Sequence, residues 1–208
     1  MTLEERVIRL EDTEAIRYLQ AKYQRSLDTR DFDSLAECFA EDVVSSYGNG
    51  SMSYKGKDAV MEFLIGAMTP SMPSTHLIHG GEIDILSSYE AEAKWYLEDY
   101  LLHQKYKMKL HGAAIYEVKY IKLPAAQPAA GNSATAENSP AGAERVDGCR
   151  GWKISSIGYK RCYEYMEMRG PMNLITLGKK SFIKSLKEGG VARLGRYGAM
   201  FYNKWFRK

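Results

Sequence analysis

Asp99 closes an apolar series. In Ala91-Glu92-Ala93-Lys94-Trp95-Tyr96-Leu97-Glu98-Asp99, strict alternation puts Ala91, Ala93, Trp95 and Leu97 on one face of a strand, and Asp99 follows them onto it. A carboxylate there needs a partner, because an ion stripped of its water is costly unless paired or hydrogen-bonded. A histidine on the same sheet would make that partnership chemical, the carboxylate fixing the ring while the ring takes a proton. Two histidines stand in Thr75-His76-Leu77-Ile78-His79-Gly80. Alternation counted back from Ile83 and Ile85 puts His79 and Leu77 on the apolar face and His76 on the other. Arg161 falls with Ile157 and Tyr159 on one face of the last strand. It either neutralises Asp99 or binds a substrate carboxylate or oxyanion with its planar fork.

Other chemistries find less support. His76, His79 and Asp99 have the composition of a two-histidine, one-carboxylate metal site, but a three-residue spacing on a strand throws the two imidazoles to opposite faces, so no metal is expected. No G-x-G-x-x-G or Walker sequence offers a nucleotide site, no G-x-S-x-G elbow is present, and no Cys-His spacing suggests a nucleophile.

The elements that must hold these residues follow a helix-first, sheet-later order. Ile16, Leu19, Tyr23 and Leu27 recur at helical spacing, so Thr13 to Leu27 reads as an amphipathic helix with Asp12 or Thr13 as cap. A short helix is expected at Phe32 to Phe39. Val43 to Tyr47 and Ser51 to Lys55, around Gly48-Asn49-Gly50, read as a hairpin. Val60, Phe63, Leu64 and Ala67 stripe a further helix over Asp58 to Met68. After Pro70 and Pro73 come four strand-like runs: Thr75 to Leu86, Ala91 to Tyr106, Gly112 to Leu123 and Gly151 to Tyr165. Their length demands a strongly curved antiparallel sheet, and helices on one face of it leave a pocket. The fold class is α+β.

Composition sets the outer frame. With 208 residues, 45% hydrophobic and 26% charged, the chain reads as one domain plus additions. No apolar run approaches the roughly 18 residues of a membrane span, and Met1-Thr2-Leu3-Glu4-Glu5-Arg6 is too charged for a signal peptide, so the cytoplasm is the expected compartment. Cys38, Cys149 and Cys162 form neither a disulfide framework nor a zinc ribbon. A stretch at about 124–144, rich in Ala, Pro, Ser and Gly, reads as a flexible insertion lengthening a hairpin. Residues 170–208 form a basic amphipathic extension, whose nine Lys and Arg against the single Glu188 leave 9 − 1 = +8. It is expected to pack on the acidic body of its own or a neighbouring subunit, a membrane surface being the second reading.

Several motifs together resemble a known family: Ala21-Lys22-Tyr23-Gln24-Arg25-Ser26-Leu27-Asp28, Phe39-Ala40-Glu41-Asp42, Thr75-His76-Leu77-Ile78-His79-Gly80, Trp95-Tyr96-Leu97-Glu98-Asp99 and Gly158-Tyr159-Lys160-Arg161. They look like SnoaL-like proteins of the nuclear transport factor 2-like superfamily, nearest to the bile acid 7α-dehydratases. The resemblance runs from about Leu3 to Arg169 apart from the insertion, and sets the domain at 1–169. It implies a cone-shaped barrel of curved antiparallel sheet wrapped around N-terminal helices. Carried over residue by residue, it implies an active site of Tyr23, Asp28, His76, Asp99 and Arg161. Tyr23 also reads as a core tyrosine, and Asp28 as a turn residue paired with Arg25 or Arg30. As a carboxylate at a helix C-terminus, Asp28 is expected to have a raised pKa. The family spacing selects His76, which a bulge at Gly80-Gly81 would bring inward, with His79 in reserve.

These residues could run an elimination without a cofactor. Asp99 would orient His76, and His76 would take an acidic C–H proton. Tyr23 and Arg161 would stabilise the enolate-like charge, and a protonated Asp28 would assist departure of the leaving group. The substrate implied is a hydroxylated polycyclic or aromatic small molecule, bound among Tyr47, Tyr54, Phe63, Trp95 and Tyr116. A carbon–carbon lyase or isomerase in the same pocket is the alternative, and a non-catalytic binding module is the rival from another class. No nucleic-acid partner is expected, and a homo-oligomer is.

Overall fold

The computed structural model describes residues 1–104, 107–124 and 148–168. The basic extension, and all of the insertion beyond Pro124, lie outside the described residues.

Helix α1 (Leu3–Thr29) starts ten residues before the apolar stripe predicts. Thr2 caps Glu5 N–H while the Glu5 carboxylate reaches back to Thr2 N–H, so the exposed first turns are held by a reciprocal cap rather than by burial. Its inward face is Ala15, Ile16, Leu19, Tyr23 and Leu27. Short α2 (Phe32–Ala36) is followed by β1 (Phe39–Tyr47), a left-handed Asn49 turn at Gly48–Gly50, β2 (Met52–Lys55) and α3 (Lys57–Ala67). Four long strands complete the order: β3 (Ser74–Ile85), β4 (Glu90–His103), β5 (Met108–Lys122) and β6 (Trp152–Met168).

The six strands form one sheet in the order β2-β1-β6-β5-β4-β3, antiparallel throughout except where β1 runs parallel to β6. The sheet does not close: β2 and β3 are its edges, so the expected barrel is an open, wrapped sheet. Along β4, Ala91, Ala93, Trp95, Leu97 and Asp99 are all buried, as alternation predicts. The four apolar ones join the core under α1 and α3 with Tyr116, Val118 and Tyr120 of β5 and Trp152, Ile154 and Ile157 of β6.

Two irregularities beside the site decide which of its side chains point inward; a further slip at Ser155 lets both Ile154 and Ile157 face the core. In β3 the register slips between His79, opposite Tyr96, and Gly81, opposite Trp95, leaving Gly80 as the extra residue with φ of 40°. Both glycines are required: Gly80 by its left-handed backbone, and Gly81 because a Cβ there would stand 2.2 Å from the Trp95 ring. The bulge reverses the phase, turning His76 inward and Leu77 and His79 outward. In β6 a second slip between Arg161 and Tyr163 leaves Cys162 as the extra, exposed residue.

Candidate active site

The last turn of α1 delivers Asp28 to the start of β3. Asp28 Oδ1 lies 2.6 Å from His76 Nδ1 and accepts from Ser74 Oγ at 2.8 Å, while Oδ2 accepts from His76 N–H at 2.8 Å. Backbone and side chain of one histidine therefore grip one carboxylate across 48 residues of sequence. His76 is buried, its side chain 7% exposed. Burial pushes the Asp28 carboxyl up, but the imidazole, the backbone N–H and the Ser74 hydroxyl outweigh it and hold the group below the ordinary carboxylate range. The raised pKa expected from the helix C-terminus is thus corrected, because three donors on the carboxylate exceed a partial dipole charge. Neither Arg25 nor Arg30 forms an ion pair with Asp28 among the described residues.

His76 and Asp99 are directly opposed in the β3–β4 register, yet they are not hydrogen-bonded to each other. Arg161 takes Asp99 in a two-pronged pair, Nη1 to Oδ1 at 2.7 Å and Nη2 to Oδ2 at 2.5 Å. The expectation that Asp99 orients His76 is corrected: Asp28 does so, and Asp99 neutralises Arg161. Reaching from β6 to β4, the guanidinium passes over β5 at Gly112, where a Cβ would stand 2.6 Å from Nη1. Glu164 Oε2 lies 3.3 Å from Nε, and the Tyr159 ring lies 4.7 Å from the guanidinium carbon. Asp99 takes one N–H from each Nη, whereas Nε, for all its closeness to Glu164, makes no hydrogen bond, so Arg161 is anchored by Asp99 with N–H donors left over. Burial favours the neutral guanidine, but Asp99 overrides it and raises the pKa further.

Beyond Arg161 the interior is packed with phenols. The Tyr23 hydroxyl lies 3.5 Å from that of Tyr47, and Tyr159 packs against both Tyr47 and Tyr116. Burial raises the pKa of Tyr23, Tyr47, Tyr116 and Tyr159, so these hydroxyls stay protonated and can donate. Phe63 stacks between Tyr47 and Tyr54 at 5.5 and 4.5 Å. Trp95 donates Nε1–H to Tyr120, which donates to Gln20.

His79, the reserve histidine, is 58% exposed on the outer face, 3.7 Å from Glu98. The two imidazoles therefore do not converge, as their spacing predicts. A groove of about 770 Å³, lined by Glu82, Glu92, Lys94, Glu117, Lys119 and Lys160, also opens on the outer face and contains none of the expected site residues. Sequence reasoning missed Ser74 and Glu164. Ser74 lies two residues from His76 and so shares its side of the strand, which was the available signal.

The chemical content of this arrangement is an imidazole whose Nδ1 is engaged by a carboxylate and whose Nε2 has no hydrogen-bond partner among the described residues. An Nδ1–H donated to Asp28 leaves the Nε2 lone pair free to receive a proton.

Residues 8–126 match the model of the SnoaL-like domain. Solved structures share the fold. A scytalone dehydratase-like protein of Novosphingobium aromaticivorans is 21% identical, with a TM-score of 0.59, over 76% of this chain and 88% of that one. The hexachlorocyclohexane dehydrochlorinase LinA-type3 of Novosphingobium barchaimii is 15% identical, with a TM-score of 0.59, over 82% of this chain and 98% of its own. ActVI-ORFA of Streptomyces coelicolor is 12% identical, with a TM-score of 0.51, over 71% and 95%.

Proposed function

This chain belongs to the SnoaL-like family, and from the Asp28–His76 pair we propose that it is a lyase that removes a leaving group from a hydroxylated polycyclic or aromatic small molecule by acid–base chemistry of its own side chains. One observation carries the reading: His76 Nδ1 is 2.6 Å from a carboxylate held below its ordinary pKa. An ionised Asp28 fixes the ring tautomer and balances the imidazolium that forms when Nε2 takes a proton. The C–H electron pair then forms the double bond, the C–O bond breaks, and the departing hydroxyl leaves as water after receiving a proton. Tyr23, protonated and buried, is the donor this scheme assigns, replacing Asp28 in that part. Arg161, with Asp99 fixing it, supplies positive charge near the developing oxyanion. Tyr47, Tyr54, Phe63, Trp95 and Tyr116 provide apolar walls; His79, facing outward, drops out of the set.

Two structural neighbours carry names of elimination enzymes, a dehydratase and a dehydrochlorinase, which supports this class over others the fold hosts. No helix among the described residues is long and apolar enough to cross a membrane. A cytoplasmic setting and a homo-oligomer remain part of the proposal. The test is to incubate the protein with hydroxylated steroids, diaryl compounds and polyketides and follow loss of water by mass spectrometry, with His76→Gln and Asp28→Asn alongside. A product that has lost water, absent with both variants, supports the reading; carbon–carbon cleavage would move the assignment to the alternative lyase, and an isomer of unchanged mass to an isomerase.

A further inference from the structure

Arg30 follows α1 directly and has the left-handed backbone, φ 60° and ψ 31°, that glycine adopts most easily at a helix end. The backbone is tied down by a bond from Arg30 N–H to Leu27 C=O and another from Asp31 N–H to Ser26 C=O. A glycine would make those bonds at lower conformational cost, so the arginine side chain invites a reason of its own.

The side chain is spent on backbone carbonyls. Nε donates to Met68 C=O at 3.1 Å and Thr69 C=O at 3.2 Å, Nη1 to Asp28 C=O at 3.1 Å, and Nη2 to Thr69 C=O at 3.0 Å and Met72 C=O at 2.7 Å. No carboxylate forms an ion pair with Arg30 among the described residues. The carbonyls come from two helix ends, the last turn of α1 and the end of α3 with the segment after it, where unpaired carbonyls concentrate negative charge. One planar cation with five donors joins them, which a lysine's single ammonium cannot reproduce. The bracketed segment runs from Met68 to Met72 and, after Pro73, feeds directly into Ser74 and His76. Those are the two residues whose donors engage the Asp28 carboxylate.

We propose that Arg30 is a positioning residue: it bolts the α3–β3 connection to the end of α1 and so fixes the separation between Asp28 and His76. This rests on the reading of that pair as the reacting groups, and it does not need the substrate to be known. Without the guanidinium, only the bonds from Ser74 and His76 to the Asp28 carboxylate hold the start of β3 to α1 at this point, and small displacements of reacting groups carry large rate penalties.

The experiment compares wild type, Arg30→Gly and Arg30→Lys as full-length, nitrogen-15-labelled proteins. Arg30→Gly removes the side chain while easing the left-handed backbone, which offsets part of the stability lost with its five carbonyl bonds. The Nδ1–H proton of His76, assigned with His76→Gln, is expected to exchange with water ~10-fold faster or more in both variants. On any substrate found in the compound screen, kcat is expected to fall ~10- to 100-fold with little change in KM. A His76 Nδ1–H signal with wild-type position and exchange in Arg30→Gly would overturn the proposal. If Arg30→Gly does not fold, Arg30→Lys decides by the same signal. Should His76→Gln leave turnover intact, the lyase reading fails while the exchange measurement still decides the role of Arg30.

Discussion

Gly112→Ala should damage the interior through one ion pair. Gly112 sits on β5 opposite Asp99 of β4 and Glu164 of β6, and the Arg161 guanidinium crosses on the space left by its missing side chain. An alanine Cβ there would lie 2.6 Å from Arg161 Nη1 and 3.0 Å from Asp99 Oδ1, inside van der Waals contact with both. The arginine end can swing away, but the aspartate, its side chain 3% exposed, then loses its partner. Overpacking a tight interior costs about 1–3 kcal/mol, and outright removal of one member of a buried pair about 3–5 kcal/mol. A displaced but still present arginine belongs near the lower range, at about 2 kcal/mol. At ~2–4 °C per kcal/mol for a chain of this size, the melting temperature should fall by about 4–8 °C. The assay is thermal and urea unfolding of Gly112→Ala, Asp99→Asn and the double variant. If the methyl acts through the pair, the double variant costs less than the two singles together, by at least ~0.5 kcal/mol. A melting temperature within about a degree of wild type, or strictly additive losses, would refute the reasoning.

Three further outcomes follow from the same geometry. Because Asp28 is held below its ordinary pKa, the stability it contributes is complete above the unfolded carboxylate range and is lost as pH falls through the lower folded value. Asp28→Asn should flatten the acid limb of a stability–pH curve, and an unchanged limb would contradict this. Tyr120→Phe removes the acceptor of Trp95 Nε1–H and the donor to Gln20, stranding buried groups at about 1–3 kcal/mol in urea unfolding; a neutral result would mean that the pair finds other partners. Burial pushes the Cys38 thiol up to about 12 while Cys162 is exposed, so a thiol reagent at neutral pH should label Cys162 quickly and Cys38 only on unfolding, read by mass spectrometry with Cys162→Ser as control.

What the sequence could reveal was set by how local the cause is. Alternation from Ala91 to Asp99 is a property of one strand, so the inward face of β4 was legible, as was Arg161 beside Ile157 and Tyr159. The Gly80-Gly81 pair signalled a bulge, and that single slip decides between His76 and His79. Partnership was legible only in part. Asp28 meets His76 because the end of α1 converges with the start of β3, and nothing near either residue announces it, whereas Asp99 and Arg161, 62 residues apart, could be paired in advance as opposite charges on apolar faces. The dipole argument for Asp28 failed for the same reason, since it weighed the helix end that sequence shows and not the donors that the fold brings. Arg30 was read only as a turn residue and a candidate ion-pair partner for Asp28, whereas it binds backbone carbonyls.

The central claim is that His76, oriented by Asp28, is the base of an elimination. It is tested most directly by the rate at which His76→Gln dehydrates a compound the wild-type protein dehydrates, both proteins shown to be folded. The account predicts a loss of ~100- to 10,000-fold, the usual worth of a positioned general base. Dehydration at the wild-type rate by His76→Gln would contradict it.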